Sequence, residues 1–117
     1  MFILGSDKAV FKGFSKKGRR LMSAYVIAQI DITDPDLFKK YGEQVAAVVK
    51  RYGGRYIVRG GSMDNLEGAL ARTRLVVIEF DSQEAARRWY TSAEYAPLIE
   101  LRQKASEGEV VIVEGVG

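Results

Sequence analysis

The residues that could do chemistry in this chain sit at alternate positions of short apolar runs. Tyr25, Gln29 and Asp31 interleave with Val26, Ala28, Ile30 and Ile32; Arg55, Ile57 and Arg59 alternate within one run; Glu79 follows Val77 by two. Side chains two apart on extended backbone share a face. The alternation therefore predicts one half-buried sheet face carrying Tyr25, Gln29, Glu79 and, by the same count, Arg59. A carboxylate and a guanidinium on such a face can orient an anionic or hydroxylated ligand. Glu79 is the one candidate for a catalytic group, as a general base if desolvation raises its pKa. The same residues also fit an ion pair or hydrogen-bond network at a dimer seam, with no turnover.

A second group is aromatic. Trp89, Tyr90 and Tyr95 surround Ser92. They could wall a ligand pocket, with the Ser92 and Tyr95 hydroxyls as polar contacts. Alternatively, Trp89 is core and Ser92 caps a helix, a role that needs no ligand. Arg59-Gly60-Gly61 could offer backbone amides to an anion. It lacks the Gly-x-Gly-x-x-Gly order and a following helix, so the glycines read as loop geometry.

Composition removes other chemistry. The 117 residues contain no cysteine and no histidine. Disulfides, thiolate nucleophiles, Ser-His-Asp triads and His- or Cys-ligated metals are thereby excluded, and no cofactor is expected. The length suits one domain, with 47% hydrophobic and 28% charged residues. No apolar run approaches the ~20 residues of a membrane span. The net charge of +3 is unevenly spread: residues 1–22 carry six basic residues and one acidic, and the rest carries 12 basic and 14 acidic. Gly5, Gly13 and Gly18 punctuate the basic segment, which is expected to be a leader or weakly ordered tail preceding a domain over 23–117.

The elements that must position these groups follow from periodicity. Residues 24–32 read as a strand. Asp34-Pro35 starts a helix whose stripe runs through Leu37, Phe38, Tyr41, Val45, Val48 and Val49, ending at Gly53-Gly54. Residues 55–59 and 73–80 are strands joined by a polar connection. Asp81 or Ser82 caps a second helix burying Ala85, Ala86 and Trp89. A further helical piece starts near Pro97 and stops at Gly108, and Val110 to Val113 form the last strand. This order predicts an α+β fold: a ferredoxin-like βαββαβ protomer with a four-stranded antiparallel sheet and its helices on one face. The other face would carry Ile27, Val77 and alternate residues of 110–113 into water, so a second copy packed sheet to sheet is expected to cover it. RNA binding on that face would need exposed aromatics on the central strands. Leu75, Val77 and Glu79 stand there instead, so no nucleic-acid partner is expected.

The residues resemble a known family. The pattern runs from Ser23-Ala24-Tyr25-Val26 through Asp34-Pro35, Gly53-Gly54-Arg55-Tyr56, Arg59-Gly60-Gly61 and Leu66-Glu67-Gly68 to Glu79-Phe80 and Trp89-Tyr90-Thr91-Ser92-Ala93-Glu94-Tyr95, ending at Arg102. It is similar to the domain of unknown function (DUF) 1330 family of the dimeric α+β barrel superfamily. The resemblance implies a barrel-like homodimer formed through sheet faces. It implies no activity, because related superfamily members differ widely in chemistry. The combined expectation is a small dimeric protein of the cytoplasm, binding a small molecule in a cleft near the sheet and second helix. Tyr25, Gln29, Arg59, Glu79, Trp89, Ser92 and Tyr95 are its candidate contacts. The alternative is a cofactor-independent enzyme, monooxygenase- or isomerase-like, that uses Glu79 and Arg59.

Overall fold

The first strand, β1 (Ala24–Ile32), leads into a capped helix, and that step sets the layers of the fold. Asp34 is extended, its Oδ1 accepts the Leu37 N–H at 3.1 Å, and Pro35 takes the first turn. Such a cap satisfies a backbone donor that the helix itself leaves free. Helix α1 (Pro35–Arg51) buries Tyr41, Val45, Val48 and Val49 along one stripe. Gly53, at φ 82°, then donates its N–H to the Lys50 carbonyl at 3.0 Å and turns the chain back. The structure, a computed structural model, describes residues 22–116. The leader expected over residues 1–22 therefore lies, apart from Met22, outside the described residues.

Strands β2 (Arg55–Arg59) and β3 (Arg74–Phe80) follow, then helices α2 (Gln83–Tyr90) and α3 (Ala96–Ala105) and strand β4 (Ser106–Glu114). The sheet order is β2-β3-β1-β4, antiparallel throughout. This is the ferredoxin-like arrangement, with three helices rather than two. Ser82, not Asp81, caps α2, accepting the Ala85 N–H at 3.1 Å. The core lies between the helices and one sheet face, where Val26, Ile30, Ile78 and Phe80 are buried. Trp89 is 1% exposed, stacked on Tyr95 with ring centroids 4.1 Å apart and tilted against Phe80 at 5.5 Å.

The last helix and strand differ from expectation. Gly108 does not stop the helix. Helix α3 ends three residues earlier, at Ala105, whose carbonyl accepts the Thr33 and Asp34 N–H groups at 2.8 and 3.1 Å. Held there, the chain turns extended at Ser106 and pairs with β1 from Ile32 onward. Gly108 sits inside this longer strand opposite Ile30.

Candidate functional site

Strand register sorts the candidate residues onto two faces. Tyr25 faces Glu79 on β3 and Val113 on β4; Ile27 faces Val77 and Val111; Gln29 faces Leu75 and Glu109. These residues form the face away from the helices. Glu79 there ion-pairs with Arg55, and the Tyr25 hydroxyl donates to its Oε2 at 3.4 Å. At the other end of this face Arg72 binds Asp31 at 3.1 Å and Glu109 at 2.8 Å, and the Thr73 N–H and hydroxyl both donate to Asp31 Oδ1 at 2.9 Å. Hydrogen bonds from Thr73, then from Arg72, hold the Asp31 carboxyl below the ordinary range, and Arg72 does the same for Glu109.

Arg59 does not join them. The alternation that placed it beside Glu79 is broken by a bulge: Arg55 pairs with Glu79 and Tyr56 with Ile78, but Val58 pairs with Val77 and Arg59 with Val76. One extra residue moves everything beyond it to the opposite face. Arg59 therefore lies on the helix side, where its Nη2 donates to the Gly42 carbonyl at 3.1 Å and its guanidinium covers the Tyr56 ring at 4.4 Å. Arg59 and Glu79 stand on opposite sides of the sheet, so one site within a protomer cannot use both. Ser92 is a cap: its hydroxyl donates to the Trp89 carbonyl at 2.8 Å and accepts the Tyr95 N–H at 3.1 Å, joining α2 to α3.

On the helix side lies a partly open cavity of about 70 Å³. Its floor is sheet, including Val26, Ala28 and Ile78; Phe38, Tyr41 and Gly42 of α1 form one wall. Trp89 and Arg102 enter from α2 and α3, while Arg59, exposed on its outer side, and Arg74 line it from the strands. Of the seven ligand contacts expected from sequence, Arg59 and Trp89 line this cavity; Tyr95 touches it indirectly, through its 2.8 Å hydroxyl–hydroxyl bond to Tyr41. Tyr25, Gln29 and Glu79 are on the far face. Burial, reinforced by Tyr95, pushes the Tyr41 phenol above its usual range, and burial does the same to Tyr95 against the pull of Tyr41 and Arg102. Both phenols stay protonated at neutral pH.

Sequence reasoning missed Arg74 and Arg102 as cavity residues. Arg102 had a legible signal: it follows Leu98 by four and precedes Ala105 by three, which puts a charge on the buried side of α3. A larger open groove of about 500 Å³ runs between α1 and α3. Arg51 and Glu94 on its rim are paired with each other at 2.7 Å.

A four-stranded antiparallel sheet with all helices on one face and a cavity beneath them is the ferredoxin-like α+β fold. Residues 23–116 match the family described as Domain of unknown function (DUF1330), and the chain belongs to that family. Among solved structures it is similar to the RPA0582 protein of unknown function from Rhodopseudomonas palustris, at 17% identity and TM-score 0.64 over 84% of this chain and 85% of that one. It is also similar to SnoaB, a cofactor-independent oxygenase from Streptomyces nogalater, at 14% identity and TM-score 0.58 over 82% and 95%. HapK from Hahella chejuensis is similar at 16% identity and TM-score 0.55 over 80% and 93%. At these identities the likeness is one of fold. No curated protein matches the chain. No helix among the described residues is long and apolar enough to cross a membrane, and no three or more acidic side chains among them are grouped as metal ligands would be.

Proposed function

We propose that this protein is a two-fold homodimer, joined through the open sheet faces, that binds a small molecule in the cavity between sheet and helices. The observation that carries the binding reading is the cavity itself. Protein cores are close-packed. The core here leaves a volume of about 70 Å³ between sheet and helices, lined by three arginines, Tyr41 and Trp89 as well as by apolar side chains. Ala28 is the smallest strand side chain on its lining, and a larger residue there would remove the void. The volume is well below the 300 Å³ or more typical of drug-sized ligands, so the ligand has few heavy atoms in the enclosed part.

Support for the dimer comes from the other face. All three helices cover one side of the sheet, which leaves Ile27, Val77, Val111 and Val113 uncovered; Val111 is 53% and Val113 44% exposed. A contiguous apolar sheet face of this kind is normally an interface. A second sheet at about 10 Å covers both copies at once.

Binding fits better than base-driven turnover. The cavity lining contains cations, hydroxyls and an indole but no carboxylate, and its Tyr41 is held protonated by burial. The general base expected at Glu79 is on the opposite face, engaged by Arg55 and Tyr25.

Filling the cavity tests this reading. In Ala28→Leu the side chain should occupy most of the void while the fold persists. Small neutral and charged fragments that alter Trp89 fluorescence in the wild type should then lose their effect. An unchanged response in Ala28→Leu would place the fragments elsewhere and reject the cavity as the site.

A further inference from the structure

We infer that the cavity is an anion site and that its ligand carries a carboxylate, or an equally compact oxyanion, on a short apolar body. This rests on the cavity being a ligand site, and adds the chemistry of what enters it.

The argument starts from how the arginines are partnered. Among the described residues Arg51, Arg55 and Arg72 each hold a carboxylate. None of the three lines the cavity. Arg59, Arg74 and Arg102, which line it, have no carboxylate partner among the described residues. Arg59 has the Gly42 carbonyl and the Tyr56 ring, and Arg74 lies over the Phe38 ring at 5.4 Å. Arg102, only 8% exposed, has the neutral phenols of Tyr95 and Tyr41 beside it. Burying a cation without a counter-charge is costly, and proteins normally pair it.

The second observation is independent of charge. Three buried nitrogen atoms among the described residues have no hydrogen-bond partner within the protein: Arg74 Nε, Trp89 Nε1 and Arg102 Nε. All three belong to residues lining this one cavity. Each is an N–H donor with no acceptor role at neutral pH. The site therefore lacks negative charge, and holds donors and positive charge in excess of its acceptors. A carboxylate supplies two oxygens with about four acceptor positions and suits the planar guanidinium fork. The remaining lining, Val26, Ala28, Ile30, Val45, Val76 and Ile78, suits a short hydrocarbon body. A neutral amide of the same shape brings an NH₂ group, which would face donors.

The sequence contains a single tryptophan. Its indole N–H therefore gives one NMR resonance that reports from inside the cavity. The full chain, ¹⁵N-labelled, would be titrated at constant ionic strength with propionate and butyrate and, in parallel, with propionamide and butyramide. The acids should shift the Trp89 indole resonance saturably and the amides at least tenfold more weakly. Arg102→Met should weaken acid binding by about ten- to a hundredfold, the size expected for a hydrogen bond to a charged group. Should Arg102→Met not fold, Arg59→Gln at the rim is the second variant, with a loss of severalfold. Equal binding of acid and amide would overturn the anion inference while leaving the cavity as a ligand site. An acid effect that does not saturate, or that is unchanged in both variants, would also overturn it. Silence of the indole resonance with acids and amides alike would overturn the cavity reading as well.

Discussion

Replacing Trp89 by two different side chains separates its packing role from its unused donor. Trp89 is 1% exposed and packs on Tyr95 at 4.1 Å and Phe80 at 5.5 Å. Trp→Ala in a core costs about 3–5 kcal/mol. A domain of this size is stable by roughly 5–14 kcal/mol at ~0.05–0.15 kcal/mol per residue. Trp89→Ala should thus leave a marginal fold, with a melting temperature lower by some 12 °C or more at ~4–8 °C per kcal/mol. Trp89→Phe keeps an aromatic ring against Tyr95 and Phe80 and deletes the indole N–H, which has no partner within the protein. An unsatisfied buried donor costs about 1–3 kcal/mol, and its removal offsets much of the lost volume. Trp89→Phe should therefore be milder than Trp89→Ala by roughly 2 kcal/mol. Urea unfolding followed by far-UV circular dichroism, at one fixed protomer concentration and without added ligand, measures both. A Phe variant as damaged as the Ala variant would refute the unpartnered donor. A loss below about 1 kcal/mol for Trp89→Ala, against the range given above, would refute the core assignment itself.

Three further outcomes are expected. Gly60 has φ 71°, and a Cβ there would land on the Arg74 guanidinium, whereas Gly61 has open space; Gly60→Ala should cost about 1–2 kcal/mol or more and Gly61→Ala within ~0.5, by chemical denaturation. Asp31 and Glu109 have folded pKa values below the ordinary carboxylate range because of Thr73 and Arg72; their contribution is present above pH ~4 and disappears as pH falls through the lower folded values. The stability gap between wild type and Arg72→Met should accordingly be larger at pH 7 than at pH 3, and a pH-independent gap would contradict this network. Ser92→Ala removes the hydroxyl that accepts from Tyr95 and donates to Trp89; it should lower stability by about 0.5–2 kcal/mol without altering fragment binding, whereas lost binding would restore Ser92 as a ligand contact.

Local chemistry made most of the fold legible. Asp34-Pro35, the stripe from Tyr41 to Val49 and Gly53 fix α1 through caps and periodicity that act within a few residues. The paired faces of β1 and β3 were also readable, because alternation holds along both strands. What was not legible depends on contacts between strands. The bulge between Tyr56 and Val58 leaves no mark on the alternation of Arg55, Ile57 and Arg59, yet it carries Arg59 from the Glu79 side to the cavity side. The candidate site built on alternation therefore mixed residues from two faces. Arg74 reaches the cavity because Gly60 leaves room for its guanidinium, a long-range fit with no local signature. The end of α3 depends on Thr33 and Asp34, which bond Ala105 from far along the chain.

In the proposed dimer two sheets close against each other and leave each cavity between its own sheet and helices. Sedimentation equilibrium of the wild-type chain at low micromolar concentration tests it most directly, with Val77→Lys as the companion because Val77 faces Ile27 on the uncovered side. A dimer of twice the 13.0 kDa chain mass is predicted for the wild type, with monomer or aggregate for Val77→Lys. A monomeric wild type, or a Val77→Lys variant that remains an unperturbed dimer, would contradict the sheet-to-sheet architecture.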